Sequence, residues 1–398
     1  MRISIPSVPE QAARSTIQHS VEQGAKLVAD FLSAANGKAL IMTGAGVSVD
    51  SGIAPYRGEN GRYLNQTFRP IFYHEFTDTT EKGHIARQRY FSRSYLGFPP
   101  VRRAEPNVSH YSIAALQRLG YLQNGLITQN VDNLHSAATP STSLAASTIL
   151  ELHGTLKHVV CVGEADRESR RGAAPSNPEL YEALRSPLYQ KGTGHVAPRP
   201  ENTIAGEHYP HSCGFMGSRA GFQDELTRLN PAWAELAREI KETGKAPKMN
   251  PDGDVELSGV DYSTFRYPSC PGCGSALVKP TVCFFGETVP DKIRDNSFHM
   301  VDQSSALLLI GTSLATYSAF RLVKQAVEQK KPVMILNKGP TRADGIVPDK
   351  IELGSSEVLS RVAALLSNGR ERNDTVLSRL LSSGVTIRPD EPNGVVSS

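Results

Sequence analysis

Two kinds of residue in this chain are spaced to do chemistry: glycines that let a phosphate approach the backbone, and thiols that can grip a metal. Gly44-Ala45-Gly46 follows the apolar run Ala39-Leu40-Ile41-Met42, which has the composition of a buried strand. A strand ending in Gly-x-Gly can bring backbone N–H groups close to a phosphate, because Gly44 and Gly46 carry no Cβ. The same pattern also serves tight turns. Cys270-Pro271-Gly272-Cys273, with Gly274 behind it, reads as a knuckle that aims two thiolates at one tetrahedral Zn²⁺. Cys161 and Cys213 are the remaining pair, with Glu164 or His211 as rivals for the fourth ligand and no metal at all as the third reading. Cys283 lies in the strand pattern Val282-Cys283-Phe284-Phe285 and is expected to be a small buried apolar group. Four protein ligands leave no open position, so the metal is expected to be structural.

The elements that must hold these residues read as α/β. Short apolar runs at 39–43, 125–128, 148–152, 281–285, 306–310 and 332–336 alternate with helical patterns near 109–119, 318–329 and 356–367. Ile17, Val21, Ala25, Val28 and Leu32, spaced by three and four, predict a core-packed helix within 10–35. The run Ala306-Leu307-Leu308-Leu309-Ile310 has no polar residue and suits a central strand buried on both faces. In such sheets ligands sit beyond the carboxyl ends of the strands. Polar or small residues succeed strands in that way at 44–46, 129–132, His153, 311–313 and Asn337.

Bulk properties exclude more than they assign. The chain has 398 residues, is 39% hydrophobic and carries a formal charge of +3, too small to argue for a nucleic-acid or membrane partner. No apolar run approaches the roughly 20 residues that span a bilayer. Five cysteines suit an intracellular metal site better than a disulfide framework. Arg2 and Arg14 among several serines hint at a mitochondrial presequence, although Glu10 intrudes. Residues 162–212 hold six prolines and few consecutive apolar residues, which predicts a largely disordered surface insertion. The polar tail at 369–398 is expected to stay out of the core.

The stretch TGAGVSVDSGIAPYRG at 43–58 resembles the NAD-binding signature of the sirtuins, NAD-dependent protein-lysine deacylases. Thr128-Gln129-Asn130-Val131-Asp132-Asn133-Leu134-His135 is similar to that family's TQNVDxLH motif, and Leu152-His153-Gly154 to the motif carrying its general base. Lys279 to Glu287 resembles the KPxVVFFGE segment, while Gly311-Thr312-Ser313 and Asn337-Lys338-Gly339 match contacts to the adenosine half of NAD. The resemblance implies a Rossmann-like, doubly wound parallel sheet (36–55, 105–155, 280–368) with a smaller zinc-binding module (56–104, 156–279), together spanning 10–368. It implies NAD contacts from Gly44, Ala45, Gly46, Tyr56, Arg57, Gln129, Asn130, Asp132, the two triplets and Ser355. An acylated-lysine peptide would pair with Val282, Phe284, Phe285, Gly286 and Glu287 by β-augmentation. Cys161 stands eight residues after His153, as in the family's first knuckle, but position 164 is Glu. His211-Ser212-Cys213-Gly214 then resembles the family's segment around the second cysteine, so the insertion splits the knuckle by 51 residues. Loop closure tolerates this, because its cost grows only with the logarithm of length.

The chemistry implied is acyl transfer to ADP-ribose. The acyl oxygen attacks C1′ of the nicotinamide ribose, nicotinamide leaves, and His153, helped by Asn130 and Asp132, draws a proton from a ribose hydroxyl. His153 must be neutral to serve as a base. Tyr56 favours class II sirtuins, in which the loop runs Gly-Ile-Pro-Asp-Tyr-Arg; here Pro55 replaces the aspartate and has no N–H to donate. Class resemblance points to the mitochondrial matrix, with cytoplasm or nucleus left open. Two other readings stand beside deacylation: a protein mono-ADP-ribosyltransferase and a non-catalytic NAD-binding protein. Arg87, Arg89 and Arg93 are expected to form a solvated helix face, or else to contact an acidic acyl group.

Overall fold

The computed structural model describes residues 8, 19–57, 61, 69–164, 176–185, 209, 211–243, 249–255, 257 and 259–387. Among them nine strands form: β1 (Ala39–Thr43), β2 (Leu126–Thr128), β3 (Ile149–Glu151), β4 (Gly154–Cys161), β5 (Met216–Ser218), β6 (Val278–Val282), β7 (Ala306–Ile310), β8 (Val333–Leu336) and β9 (Asp349–Ile351). They belong to two compact units, one holding the described parts of 65–103 and 153–290, the other those of 2–64, 104–152 and 291–398.

The larger unit is built on an all-parallel sheet in the order β3-β2-β1-β7-β8-β9. All five residues of β7 are buried. Ala306, Leu308 and Ile310 enter one core cluster with the helices Val21–Ala34 and Ser355–Ser367, through Val28, Leu32, Val358 and Val362. Strand geometry sends Leu307 and Leu309 to the opposite face, where the helix Tyr317–Glu328 packs on β7 and β8. The Val21–Ala34 helix starts where a capping box allows it: Ser20 Oγ accepts from Gln23 N–H, and Gln23 Oε1 accepts from Ser20 N–H. Residues 10–18 of the expected 10–35 helix lie outside the described residues.

The smaller unit carries the antiparallel sheet β5-β4-β6. This corrects the expected partition, because β6 and the residues after it up to Pro290 belong here and not to the parallel sheet. The expected strand 281–285 also ends early. β6 stops at Val282, after which the chain turns.

Two segments expected to be disordered contain structure. Within 162–212, Pro178–Arg185 is a helix whose Leu184 is buried and whose Tyr181 packs on Phe215. Asn177 N–H bonds to Pro271 O at 3.0 Å, tying the segment to the cysteine knuckle. Most of the rest of that insertion lies outside the described residues. In the tail, Thr375–Ser382 is a helix capped by Asp374, and its Leu377 and Leu380 are buried against Ala114, Ala115 and Ala363. A polar average concealed four apolar residues, Val376, Leu377, Leu380 and Leu381, enough to dock one helix face.

Nor do Arg87 and Arg93 of the 23-residue helix Glu81–Arg103 face solvent, and Arg89 between them is half-buried. Arg93 is buried and pairs with buried Asp254 through Nε at 2.7 Å and through Nη2. Arg87 Nη1 donates to the carbonyls of Phe76 and Asp78, each at 2.7 Å. Both guanidinium groups are thus committed to internal acceptors, which removes them from an acyl-binding role.

Candidate functional site

Cys161, Cys213, Cys270 and Cys273 bring their sulfurs within 4.8 Å of one another. The Cys161–Cys273 and Cys213–Cys270 separations are 3.7 and 3.5 Å. A tetrahedral zinc with bonds near 2.3 Å needs sulfurs roughly 3.8 Å apart, so the donor set fits that ion. Local geometry explains the fit. Cys270 N–H bonds to Ser275 O, Gly274 N–H to Cys270 O, and Gly274 has φ +77°, closing the knuckle as a tight turn. Gly272 N–H points at Cys270 Sγ, 3.4 Å away. Cys213 reaches the knuckle because Phe215, two residues on, is bonded through its carbonyl to Cys161 N–H. Cys283 stands outside the set and is partly buried; burial pushes its thiol up to about 12.

His153 immediately precedes β4, and its carbonyl accepts from Cys283 N–H at 2.9 Å. The 282–287 segment beside it is fixed from within. Phe284 N–H bonds to Glu287 Oε2, and Phe284 O accepts from Glu287 N–H. Phe285 O accepts from Tyr73 N–H. Glu287 is held in turn by buried Lys279 at 3.2 Å and by Tyr209 Oη. Gly286 sits at φ +82°, a turn conformation that favours glycine.

In the larger unit the expected cofactor residues follow β1, β2, β7 and β8, on either side of the β1–β7 pair where the strand order changes direction, with Ser355 opening the helix after β9. The reason for Gly44-Ala45-Gly46 differs from the expected one. The N–H groups of Gly44 and Gly46 are spent on Ile310 O and Gly311 O. A Cβ on Gly46 would lie 2.8 Å from Gly311 Cα, and one on Gly311 2.6 Å from Val47 N. These glycines therefore let two strand-end turns touch.

Beside these turns runs a buried polar network. Ser48 Oγ donates to Asp132 Oδ2 at 2.7 Å and accepts from Asn130 Nδ2 at 3.1 Å. Asp132 Oδ1 accepts from Leu134 N–H, and Asn133 between them adopts φ +68°. Burial raises the Asp132 carboxyl above the usual range, against the pull of these hydrogen bonds. Gln129 Nε2 bonds to Thr312 Oγ1 at 2.8 Å, linking the β2 and β7 turns. Asn337 Nδ2 braces its own turn through Lys338 O and Gly339 O. Ser355 Oγ lies 2.8 Å from Ser109 Oγ, joining two helices. Ala45, Tyr56, Arg57 and Ser313 are described residues of the same unit.

Three further residues in this network lay outside the expected site. Asn107 Nδ2 bonds to Val47 O, His110 Nδ1 lies within reach of Asn107 N–H and Asn107 Oδ1, and His110 Nε2 lies 3.5 Å from Ser48 Oγ. His135 Nε2 lies 2.9 Å from Thr43 Oγ1, and its ring stands edge-on to that of His110. His135 was visible within the quoted 128–135 motif; Asn107 and His110 required the fold. Burial keeps both rings neutral and drives His135 down to about 3.

His135 also makes stability depend on acidity. Its folded pKa is depressed, so in the unfolded chain it takes up a proton below about 6.5 while the folded protein does not. Stability is full above that value and falls as pH drops toward 3. Between pH 6.5 and 5, wild type should lose about 2 kcal/mol more than a His135→Gln variant. Parallel urea-unfolding curves for the two proteins across this window would contradict it.

Comparison with known proteins agrees with these features. The model of the Sir2 family matches residues 44–210 and 236–318. The chain is 39% identical over 360 residues to the NAD-dependent protein deacylase SIR4 of Batrachochytrium dendrobatidis, covering 89% of this chain and 99% of that one. It is 33% identical over 322 residues to the NAD-dependent protein lipoamidase sirtuin-4, mitochondrial, of Bos taurus, covering 80% of each. A solved chain described as "Structural Basis for the Mechanism and Regulation of Sir2 Enzymes" shares the fold with a TM-score of 0.53 at 24% identity, covering 87% of this chain and 99% of that chain. Motif order, parallel-sheet topology and a four-cysteine cluster therefore converge: the chain belongs to the Sir2 family, the sirtuins.

Proposed function

We propose that this protein is an NAD-dependent protein-lysine deacylase that moves the acyl group of an acylated lysine to ADP-ribose and releases nicotinamide. The observation that carries it is the buried Ser48–Asn130–Asp132 network at the strand ends, in a chain that aligns over 99% of a deacylase relative. When bound, NAD supplies the ribose that accepts the acyl group. Gly44, Ala45, Gly46, Tyr56, Arg57 and Gln129 would line its site, with Gly311, Thr312, Ser313, Asn337, Lys338, Gly339 and Ser355 on the adenosine side. Asn130 and Asp132 would orient the nicotinamide ribose, and His153 would accept a proton from its hydroxyl. Cys161, Cys213, Cys270 and Cys273 hold one structural Zn²⁺.

The substrate is an acylated-lysine protein or peptide, laid along 282–287 by β-augmentation. The backbone groups of Phe284 already have partners and Phe285 is bridged to Phe72, so pairing has to use other groups of the segment. We assign the chain to the class II type on Tyr56, and to the mitochondrial matrix by analogy with the bovine relative, whose name includes that location. Among the described residues no helix is long and apolar enough to cross a membrane. We propose no direct nucleic-acid or membrane partner.

The test is purified protein with NAD and peptides bearing acetyl, longer fatty, lipoyl and acidic acyl groups. Nicotinamide and O-acyl-ADP-ribose should appear in equal amounts. ADP-ribose attached to protein without the acyl product would instead identify a mono-ADP-ribosyltransferase. NAD binding without nicotinamide release would identify a non-catalytic NAD-binding protein.

A further inference from the structure

The chain beyond the Thr375–Ser382 helix runs directly over the loop after β1. Val385 N–H donates to Pro106 O at 3.2 Å, and Ile387 N–H to Asp50 O at 2.8 Å. Parallel bridges join Asn107 to Val385 and Ser51 to Ile387. The fit is close. A Cβ on Gly384, which has φ +128°, would lie 2.5 Å from Val108 N, and one on Gly52 3.3 Å from Ile387 Cγ2. The helix ahead anchors this segment through buried Leu377 and Leu380 and through Asp374, paired with Arg118 at 2.6 Å. Ser356 Oγ also binds the Asp50 carboxylate, so the loop is held from two sides.

We propose that residues 384–387 form a positioning strap for the cofactor loop. The two loops it ties, 48–52 and 106–108, are those that set Ser48 and Asn107. Asn107 in turn holds Val47 O and His110, and Ser48 holds Asp132. The strap touches no reacting atom. It acts by keeping the loop in the arrangement that receives NAD, so its loss raises the dissociation constant for NAD and leaves peptide binding alone. The proposal rests on the assignment of NAD to this loop.

Two full-length variants test it. Ile387→Pro deletes the N–H that reaches Asp50 O and keeps an extended backbone on either side. Ile387→Ala keeps that N–H and removes only side-chain contact. Loss of one backbone hydrogen bond predicts a rise of several-fold to about tenfold in the NAD dissociation constant for the proline variant, measured by calorimetry. Hydrogen exchange in 48–53 should quicken in the same variant without NAD present, while the KM for peptide stays put. The alanine variant should resemble wild type. Unchanged NAD affinity and unchanged exchange in Ile387→Pro would overturn the strap, as would equal losses in both variants. Absence of NAD binding by wild type would overturn the cofactor reading and the strap with it.

Discussion

A Cys213→Ser variant is expected to lose its zinc and much of the stability of the smaller unit. Serine keeps the size but not the thiolate, and a neutral hydroxyl is a poor zinc ligand. Loss of an outer partner that merely orients a ligand already costs about 10–100-fold in affinity, and removal of a ligand itself should exceed that. Because metal binding and folding are linked, the lost affinity appears as lost folding free energy. The three other cysteines surround a site at which each sulfur is within 4.8 Å of the rest, so no spare thiol can substitute. Cys283 cannot move in, since its backbone is bound to His153 O and its thiol lies outside the cluster. Elemental analysis should give about one zinc per chain for wild type and close to none for the variant. Glu164→Gln and His211→Ala should retain the metal. Zinc retained in Cys213→Ser, or lost in either control, would overturn the four-cysteine assignment.

His153→Ala should bring acyl transfer close to a standstill while leaving the protein folded. A positioned general base contributes about 10²–10⁴-fold, and kcat should fall by that order. The main-chain bond from Cys283 N–H to His153 O does not depend on the imidazole, so the adjoining turn should survive the substitution. Melting temperature, zinc content and NAD affinity should therefore stay near wild type. Equal nicotinamide release by the two proteins would remove His153 from the reaction. Loss of zinc together with activity would show that the substitution acts through the fold.

The range of the forces involved separates the features legible in the sequence from those that were not. β1 and β7 were evident because strands buried on both faces need uninterrupted apolar side chains, which is a local property of 39–43 and 306–310. Cys270 and Cys273 were evident because one tight turn sets both thiols. Arg93 was misjudged because its partner, Asp254, is 161 residues away in sequence. The tail was misjudged because Leu377 and Leu380 pack on Ala114 and Ala115, which lie far away along the chain. Gly44 and Gly46 stand out locally as a Gly-x-Gly turn, but their close approach to Gly311 involves a neighbour that no local pattern reveals.

By itself, the sequence determined the parallel α/β framework, the four thiols and the order of motifs along the chain, since each depends on side-chain type within a few residues. The tertiary structure decided which polar groups meet. It placed Ser48 between Asn130 and Asp132, turned His110 and His135 into neutral buried partners, and split β6 from the parallel sheet. It also carried the chain from Gly384 to Ile387 back to the loop after β1. Hydrogen bonds and buried charges act over a few ångströms of space, whatever the separation along the chain, so only the fold could decide those pairings.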